Sequence, residues 1–403
     1  MQYLNGLLSF TNLMKSLGGV LLAIVILLVM VTIHEFGHYL AGKALGFKIN
    51  EFSVGFGPAL FKKRSKKTGE LFALRIIPLG GYCAFDGEDE LDDEKKSDEE
   101  PFEQFADTQP QEEKKEEYPE PKGERFNDQA PWKRIIVLIA GATMNYILAL
   151  CLIVVMFACF GRPLYKVVVE NPNPPDTEVG TVSVLEQEQT LASGLQTGDI
   201  ILEIDGKSVY MITDYMDILD GKKAGDSVDI TVLRDGEKQT VETVLAMNAE
   251  FVNMSDTNTL LRSMNIYGLF TVTEKQGFWE TIGHSFAYSW KIGGTVLRSL
   301  GELLTGKLGL DAMGGPVTTI SVTAQAASSG WLSFLNIAAF IGVNLAVFNL
   351  LPVPALDGCK VIFCIIEWIR KKPINRKVET MIHLIGILFL FGFAILVDLL
   401  QLF

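Results

Sequence analysis

Histidine is scarce in this chain, with four residues in 403. That excludes a histidine-rich metal store, so any imidazole chemistry must come from a few chosen positions. Cysteine is nearly as scarce. Cys83, Cys151, Cys159, Cys359 and Cys364 are odd in number and none is spaced C-x-x-C. They read as free thiols, not as a disulfide frame or a zinc knuckle. A basic surplus is missing too. The formal net charge is −13, and Asp86–Glu120 carries all of it, with seventeen Asp or Glu against four lysines. The remainder is formally neutral, so no basic face suggests nucleic acid as a partner.

Long apolar runs, by contrast, are plentiful, and the chain reads as a multi-pass membrane protein with soluble parts. Its centre is Val29–Ala41, VMVTIHEFGHYLA, which holds His34, Glu35 and His38 as H-E-x-x-H. On an α-helix, positions i and i+4 share a face. His34 and His38 can therefore offer nitrogens to one metal ion, with Glu35 beside them as a general base. Leu17–Thr32, just before them, is almost wholly apolar. Leu17–Ala41 is long enough to cross a bilayer core of about 30 Å. Ionisable residues at that depth are costly and mark function.

The chain divides as follows. Residues 1–41 form a first span, retained because no small-x-small cleavage site follows it. Residues 42–85 read as short strands with turns at Gly55, Gly57-Pro58 and Gly80-Gly81. Residues 86–129 are too acidic and too poor in apolar residues to fold alone and read as a disordered insertion. Residues 130–164 give a second span. Within it Gly141 and Asn145 lie one turn apart, which suits close packing or a polar contact to a neighbour. Residues 165–275 are soluble, with recurring β-type runs and an Asp235-Gly236 hairpin signal. Residues 276–330 suit an interfacial helix followed by a glycine-rich turn, and His284 reads as an interface residue. Residues 331–358 are the third span, 359–377 a cytoplasmic loop and 378–403 the fourth span, with His383 at its start reading as an interface residue and Asp398 within reach of headgroups. Lysine and arginine near the span ends put residues 42–129 and 359–377 on the cytoplasmic side and 165–275 outside.

A catalytic zinc site takes three protein ligands and keeps one position open. Asp357 is the candidate third ligand. It follows Pro352 and Pro354, which break the helix and free backbone groups that must face protein or a cavity.

These motifs carry a resemblance. HEFGH at 34–38, GFGP at 55–58, the Gly80-Gly81-Tyr82 turn, Asn145 and NLLPVPALDG at 349–358 resemble the site-2 protease family, in its regulator-of-sigma-E branch. The resemblance covers nearly the whole chain, and ASGLQTGDIILEIDGKSV within 165–275 is similar to a PDZ domain. It implies a zinc ion held by His34, His38 and Asp357, with Glu35 as catalytic acid and base. It also implies substrate contacts at Asn344, Asn349 and the Gly55 and Gly57 region of a membrane-associated β segment. The implied fold is four transmembrane helices with that β region and an extracytoplasmic α+β PDZ domain. The implied partners are membrane lipid, single-pass transmembrane proteins such as anti-sigma factors after a prior cut, and signal-peptide remnants. The implied place is a bacterial plasma membrane, with the active site near the cytoplasmic side. Two departures stand out: there is room for only one PDZ domain, and 86–129 has no counterpart. Two other classes stay open, a membrane-anchored peptidase acting on soluble proteins and a non-enzymatic PDZ scaffold with a structural metal. Metal identity beyond a divalent ion and oligomeric state are not legible.

Overall fold

The computed structural model describes residues 2–88, 118–169, 194–223, 225–245, 261, 264, 266, 268–309 and 313–401, with side chains from 17 onward except 79. It separates into two compact units, one of Met1–Ile153 with Ser289–Phe403 and one of Val154–Tyr288.

The first unit contains the long apolar helices. α1 runs Gln2–Leu45, α2 Pro131–Phe160, α4 Phe278–Leu304, α5 Pro316–Ser329, α6 Trp331–Asn349, α7 Asp357–Arg370 and α8 Arg376–Leu400; α2 and α4 each continue into the second unit. Among the described residues four stretches are long and apolar enough to cross a membrane: Leu17–Leu45, Pro131–Phe160, Trp331–Asn349 and Arg376–Leu400. They match the four expected spans in number; the second and fourth agree with the expected bounds within a few residues, and the third ends at Asn349, short of the expected 358. Large aliphatic and aromatic side chains such as Leu21, Leu388 and Phe391 remain exposed on them, as a hydrocarbon solvent permits.

After α1 come two strands, β1 Ile49–Arg64 and β2 Leu71–Phe85. Several short strands were expected here, but the chain runs as two long ones, bent sharply at the expected turns. Gly55, Gly57 and Gly80 have φ of +85°, +81° and +114°, values that side chains other than glycine rarely adopt. The bends fold the ribbon on itself. Glu51–Val54 pairs with Gly81–Ala84 on one side and with Leu71–Leu74 on the other. One edge of this sheet is therefore the stretch Gly81–Ala84. Phe56, Leu60, Phe61, Ile76 and Ile77 are exposed on the sheet, so part of its surface is apolar, while Lys62, Lys63 and Arg64 are exposed at the far end of β1.

Two other expectations need correction. The ends of the acidic insertion are ordered: Glu124 exchanges backbone hydrogen bonds with Gly46 and Lys48, and Phe126 is buried against Phe47 and Phe85. The remainder, 89–117, lies outside the described residues. Residues 359–377 are mostly the helix α7, whose buried face is Gly358, Cys359, Cys364 and Glu367. Glu367 is tolerated there because it pairs with Arg134 of α2 and Arg376 of α8 and accepts the Ile374 N–H. Asp398 also caps α5, accepting hydrogen bonds from Val317 N and Thr318 N.

The second unit is built around a six-stranded sheet in the order β7-β6-β4-β3-β8, with β5 beside β4. Its strands are β3 Arg162–Val168, β4 Ile200–Ile204, β5 Lys207–Ser208, β6 Ser227–Arg234, β7 Glu237–Val244 and β8 Gly268–Glu274, and α3, Ile212–Leu219, packs on it. The Asp235-Gly236 pair forms the β6–β7 turn, as the sequence suggests. Ile201, Ile204, Tyr215, Ile230 and Val232 make a closed core. Each such residue contributes roughly 1.5–3 kcal/mol of burial.

Candidate active site

The site grows from three local facts. The H-E-x-x-H sequence is helical, so His34 and His38 share a face of α1. Pro352 and Pro354 lie in the break between α6 and α7, so Asp357 begins a new helix instead of continuing the old one. Gly141 of α2 has no side chain, and that gives the imidazoles their room. A Cβ built there would lie 2.4 Å from His38 Nε2 and 2.8 Å from His34 Cε1.

The result is a triangle of donors. His34 Nε2 is 3.1 Å from His38 Nε2, and Asp357 Oδ2 is 3.0 Å and 3.4 Å from the two nitrogens. Ligands about 2.0–2.1 Å from a tetrahedral zinc ion are separated by about 3.4 Å, close to these edges. Asp357 Oδ2 is buried and makes no hydrogen bond of its own. Three lone-pair atoms facing one another in a buried place need a cation between them. Among the described residues this is the group of His, Cys, Asp and Glu side chains spaced to hold a metal. The residues present thus fit a metal ion.

The surrounding residues set the tautomers. His38 Nδ1 donates to the Val137 carbonyl at 2.8 Å, which leaves Nε2 free to ligate. His34 Nδ1 has the side-chain amides of Asn145 and Asn349 at 3.4 Å each. Asn145 Oδ1 is buried with no partner. Turning that amide over lets its oxygen accept the Nδ1 proton and frees Nε2 of His34 as well. The close packing and polar contact expected of Gly141 and Asn145 are both realised. Their particular partners are tertiary and so lay beyond the sequence pattern.

Glu35 lies near His34, His38 and Asp357, and it accepts a hydrogen bond from the Cys83 backbone N–H. Its Cγ lies 3.5 Å from where a side chain on Gly81 would begin. The sheet edge Gly81–Ala84 therefore runs past the carboxylate. The Cys83 thiol beside it is pushed up by burial, with Glu35 adding to the effect, so it is no nucleophile.

The other expected residues are placed differently. Asn349 reaches the triangle, as described. Asn344 instead lines a cavity of about 470 Å³ with Leu27, Thr318, Thr323 and Phe348. Gly55 and Gly57 sit at the bend of β1. His284, in the other unit, shares a hydrogen bond between its Nδ1 and the Tyr210 hydroxyl at 2.7 Å. Burial and the Arg162 guanidinium hold it below the usual histidine range.

A family model described as peptidase family M50 matches residues 22–393. The chain belongs to peptidase family M50. It is 27% identical to the regulator of sigma-W protease RasP of Bacillus subtilis over 425 residues, covering 91% of this chain and 94% of that one. It is 27% identical to the zinc metalloprotease RasP of Bacillus licheniformis, over 90% of this chain and 93% of that one. The figure is also 27% for the regulator of sigma E protease of Haemophilus influenzae, over 96% and 99%. Membership makes this M50 chain a zinc metalloprotease with Zn2+ as its metal.

Proposed function

We propose that this chain is an intramembrane endopeptidase that cuts single-pass proteins within or next to their transmembrane segments. The observation that carries this reading is the His34–His38–Asp357 triangle, whose two histidines lie on a helix of membrane-crossing length. In the proposal these three side chains are the zinc ligands. Zinc, when bound, supplies a Lewis acid for the scissile carbonyl and acidifies water. Glu35 removes a proton from the attacking water and later delivers it to the leaving nitrogen. The carbonyl carbon gains the hydroxyl and loses the C–N bond, so one water is consumed per cut.

A transmembrane helix hides its amides in its own hydrogen bonds and must unwind before attack. The edge Gly81–Ala84 beside Glu35 is suited to hold the unwound stretch by strand addition. Asn349 and the Gly55–Gly57 bend are the proposed substrate contacts nearby, with Asn344 further along the same path. Residues 165–275 hold the proposed single PDZ domain, extracytoplasmic, screening substrates by the bulk of their outer parts. Its antiparallel strands and short α3 support that reading. The names of the relatives that regulate sigma factors support anti-sigma factors, trimmed by an earlier cut, as one substrate class, with signal-peptide remnants as another. The proposed location is a bacterial plasma membrane, with the site towards the cytoplasm.

The test is purified protein in lipid, incubated with a single-pass substrate whose outer domain is trimmed, comparing wild type with Glu35→Gln. Products are mapped by mass and bound zinc is measured in both. Cleavage within the apolar span should fall about 10²–10⁴-fold in the variant at equal zinc. Cuts only outside the span would instead mark an anchored peptidase of soluble proteins.

A further inference from the structure

Ala355 is strained, and α8 holds it so. Among the described residues four that are not glycine have positive φ. Asp205, Asp235 and Lys371 lie at 48° to 54°, within the ordinary left-handed well. Ala355 lies at +80°, has no polar side chain to compensate, and stands two residues before Asp357. Such a conformation persists only where surrounding contacts enforce it.

Two residues of α8, three positions apart and so on one face, supply those contacts. His383 Nδ1 accepts the Ala355 N–H at 3.1 Å. Its ring stands edge to face with Phe363 of α7, centroids 5.8 Å apart. Gly386 lets the same helix close on the preceding residue. A Cβ there would lie 2.4 Å from Pro354 Cβ and 2.6 Å from its carbonyl carbon and oxygen. His383 is an ionisable residue in an apolar helix of membrane-crossing length, where a polar group persists for a definite purpose.

We propose that His383 and Gly386 form a clamp on the Pro354–Asp357 loop that positions the third zinc ligand. His383 is a positioning residue in this account. It touches neither metal nor substrate, and it works by fixing the backbone from which the Asp357 carboxylate projects. The inference rests on the reading of Asp357 as a ligand.

The experiment measures zinc affinity of the full chain in lipid nanodiscs by competition with a chromophoric chelator, so no turnover is needed. His383→Ala should weaken zinc binding about 10–100-fold, the loss typical when support behind a ligand is removed. His383→Asn keeps an acceptor where Nδ1 stood and should restore most of it. Adding Ala355→Gly to His383→Ala removes the strain and should recover part of the loss. A merely structural role for His383 predicts neither recovery. Asp357→Ala is the control. If His383→Ala binds zinc like wild type while Asp357→Ala does not, the clamp is wrong and the ligand assignment stands. Unrecovered loss in both rescue variants also overturns the clamp. If Asp357→Ala keeps full affinity, the ligand reading fails and takes the clamp with it.

Discussion

The two units of this protein are built for opposite solvents. The Val154–Tyr288 unit hides Ile201, Ile204, Ile230 and Val232 completely and leaves Asp205, Lys207 and Glu237 exposed, while its buried ionic groups Arg162, Asp199 and Asp214 each make hydrogen bonds. The other unit exposes Leu388 and Phe391 while burying His34, His38, Arg134, Asn145 and Glu367. In the first, exposed polar groups need no explanation, and the few buried ionic ones are hydrogen-bonded. In the second, each buried polar group is expensive and must be matched by a partner or a task. Arg134 and Glu367 match each other and tie α2 to α7. Asn145 and Asn349 face His34. What is left facing inward is the donor triangle, and only a cation completes it.

The sharpest way to break this contrast is to change the residue that gives the triangle its space. Gly141→Ala adds one methyl group where His38 Nε2 would be 2.4 Å away. In an ordinary helix interior that change stabilises by a few tenths to about 1 kcal/mol. Here it should drive the imidazoles apart, lower zinc affinity at least about 100-fold and abolish cleavage. Chelator competition and a product assay check both effects. Wild-type zinc binding in this variant would mean that the triangle is not the metal site.

How much of the site was legible depended on how local each signal is. His34, Glu35 and His38 are one helical turn, so spacing alone put them together. Asp357 is more than three hundred residues away in sequence, but two prolines and an Asp-Gly announced a helix break at membrane depth. Asn349 and Asn344 look alike in sequence, yet five residues on an α-helix turn about 140° beyond a full turn, so the two side chains leave α6 in different directions. The glycines of β1 and β2 marked the bends. The register that lets Glu51–Val54 face two stretches at once is a tertiary outcome with no sequence period. α7 was masked because Lys360 and Arg370–Lys372 dominate a stretch whose buried face is only Gly358, Cys359, Cys364 and Glu367. His383 looked like an interface residue because its partner is a backbone N–H, which no side-chain pattern reveals.

A smaller effect sharpens the contrast from the other side. Ile230, on β6 between β4 and β7, is fully buried. Ile230→Ala removes apolar volume from a closed core and should destabilise that unit by about 2–5 kcal/mol. Hydrogen exchange should show lost protection in β4, β6 and β7, while zinc affinity stays at the wild-type value. If zinc binding fell in step, the two units would not be energetically separate.

The smallest effect should come from Lys222. Its ammonium pairs with Asp205 Oδ2, and the two side chains are 25% and 32% exposed. The Coulomb attraction is spread through water and screened by salt, and both side chains give up rotamer freedom to make it. Asp205 also keeps a second partner, accepting the Asp229 N–H at 2.9 Å, so removing the lysine does not strand it. Lys222→Ala should therefore cost about 0–1 kcal/mol, and adding salt should lower wild-type stability towards that of the variant. A chemical denaturation series in urea at two ionic strengths measures this. The Arg134–Glu367 pair has the same chemistry but side chains only 5% and 4% exposed, so neither charge can turn to water when its partner is lost. A large, salt-independent loss at Lys222 would mean that the Val154–Tyr288 unit handles charge as the other unit does, and that exposure is not what separates them.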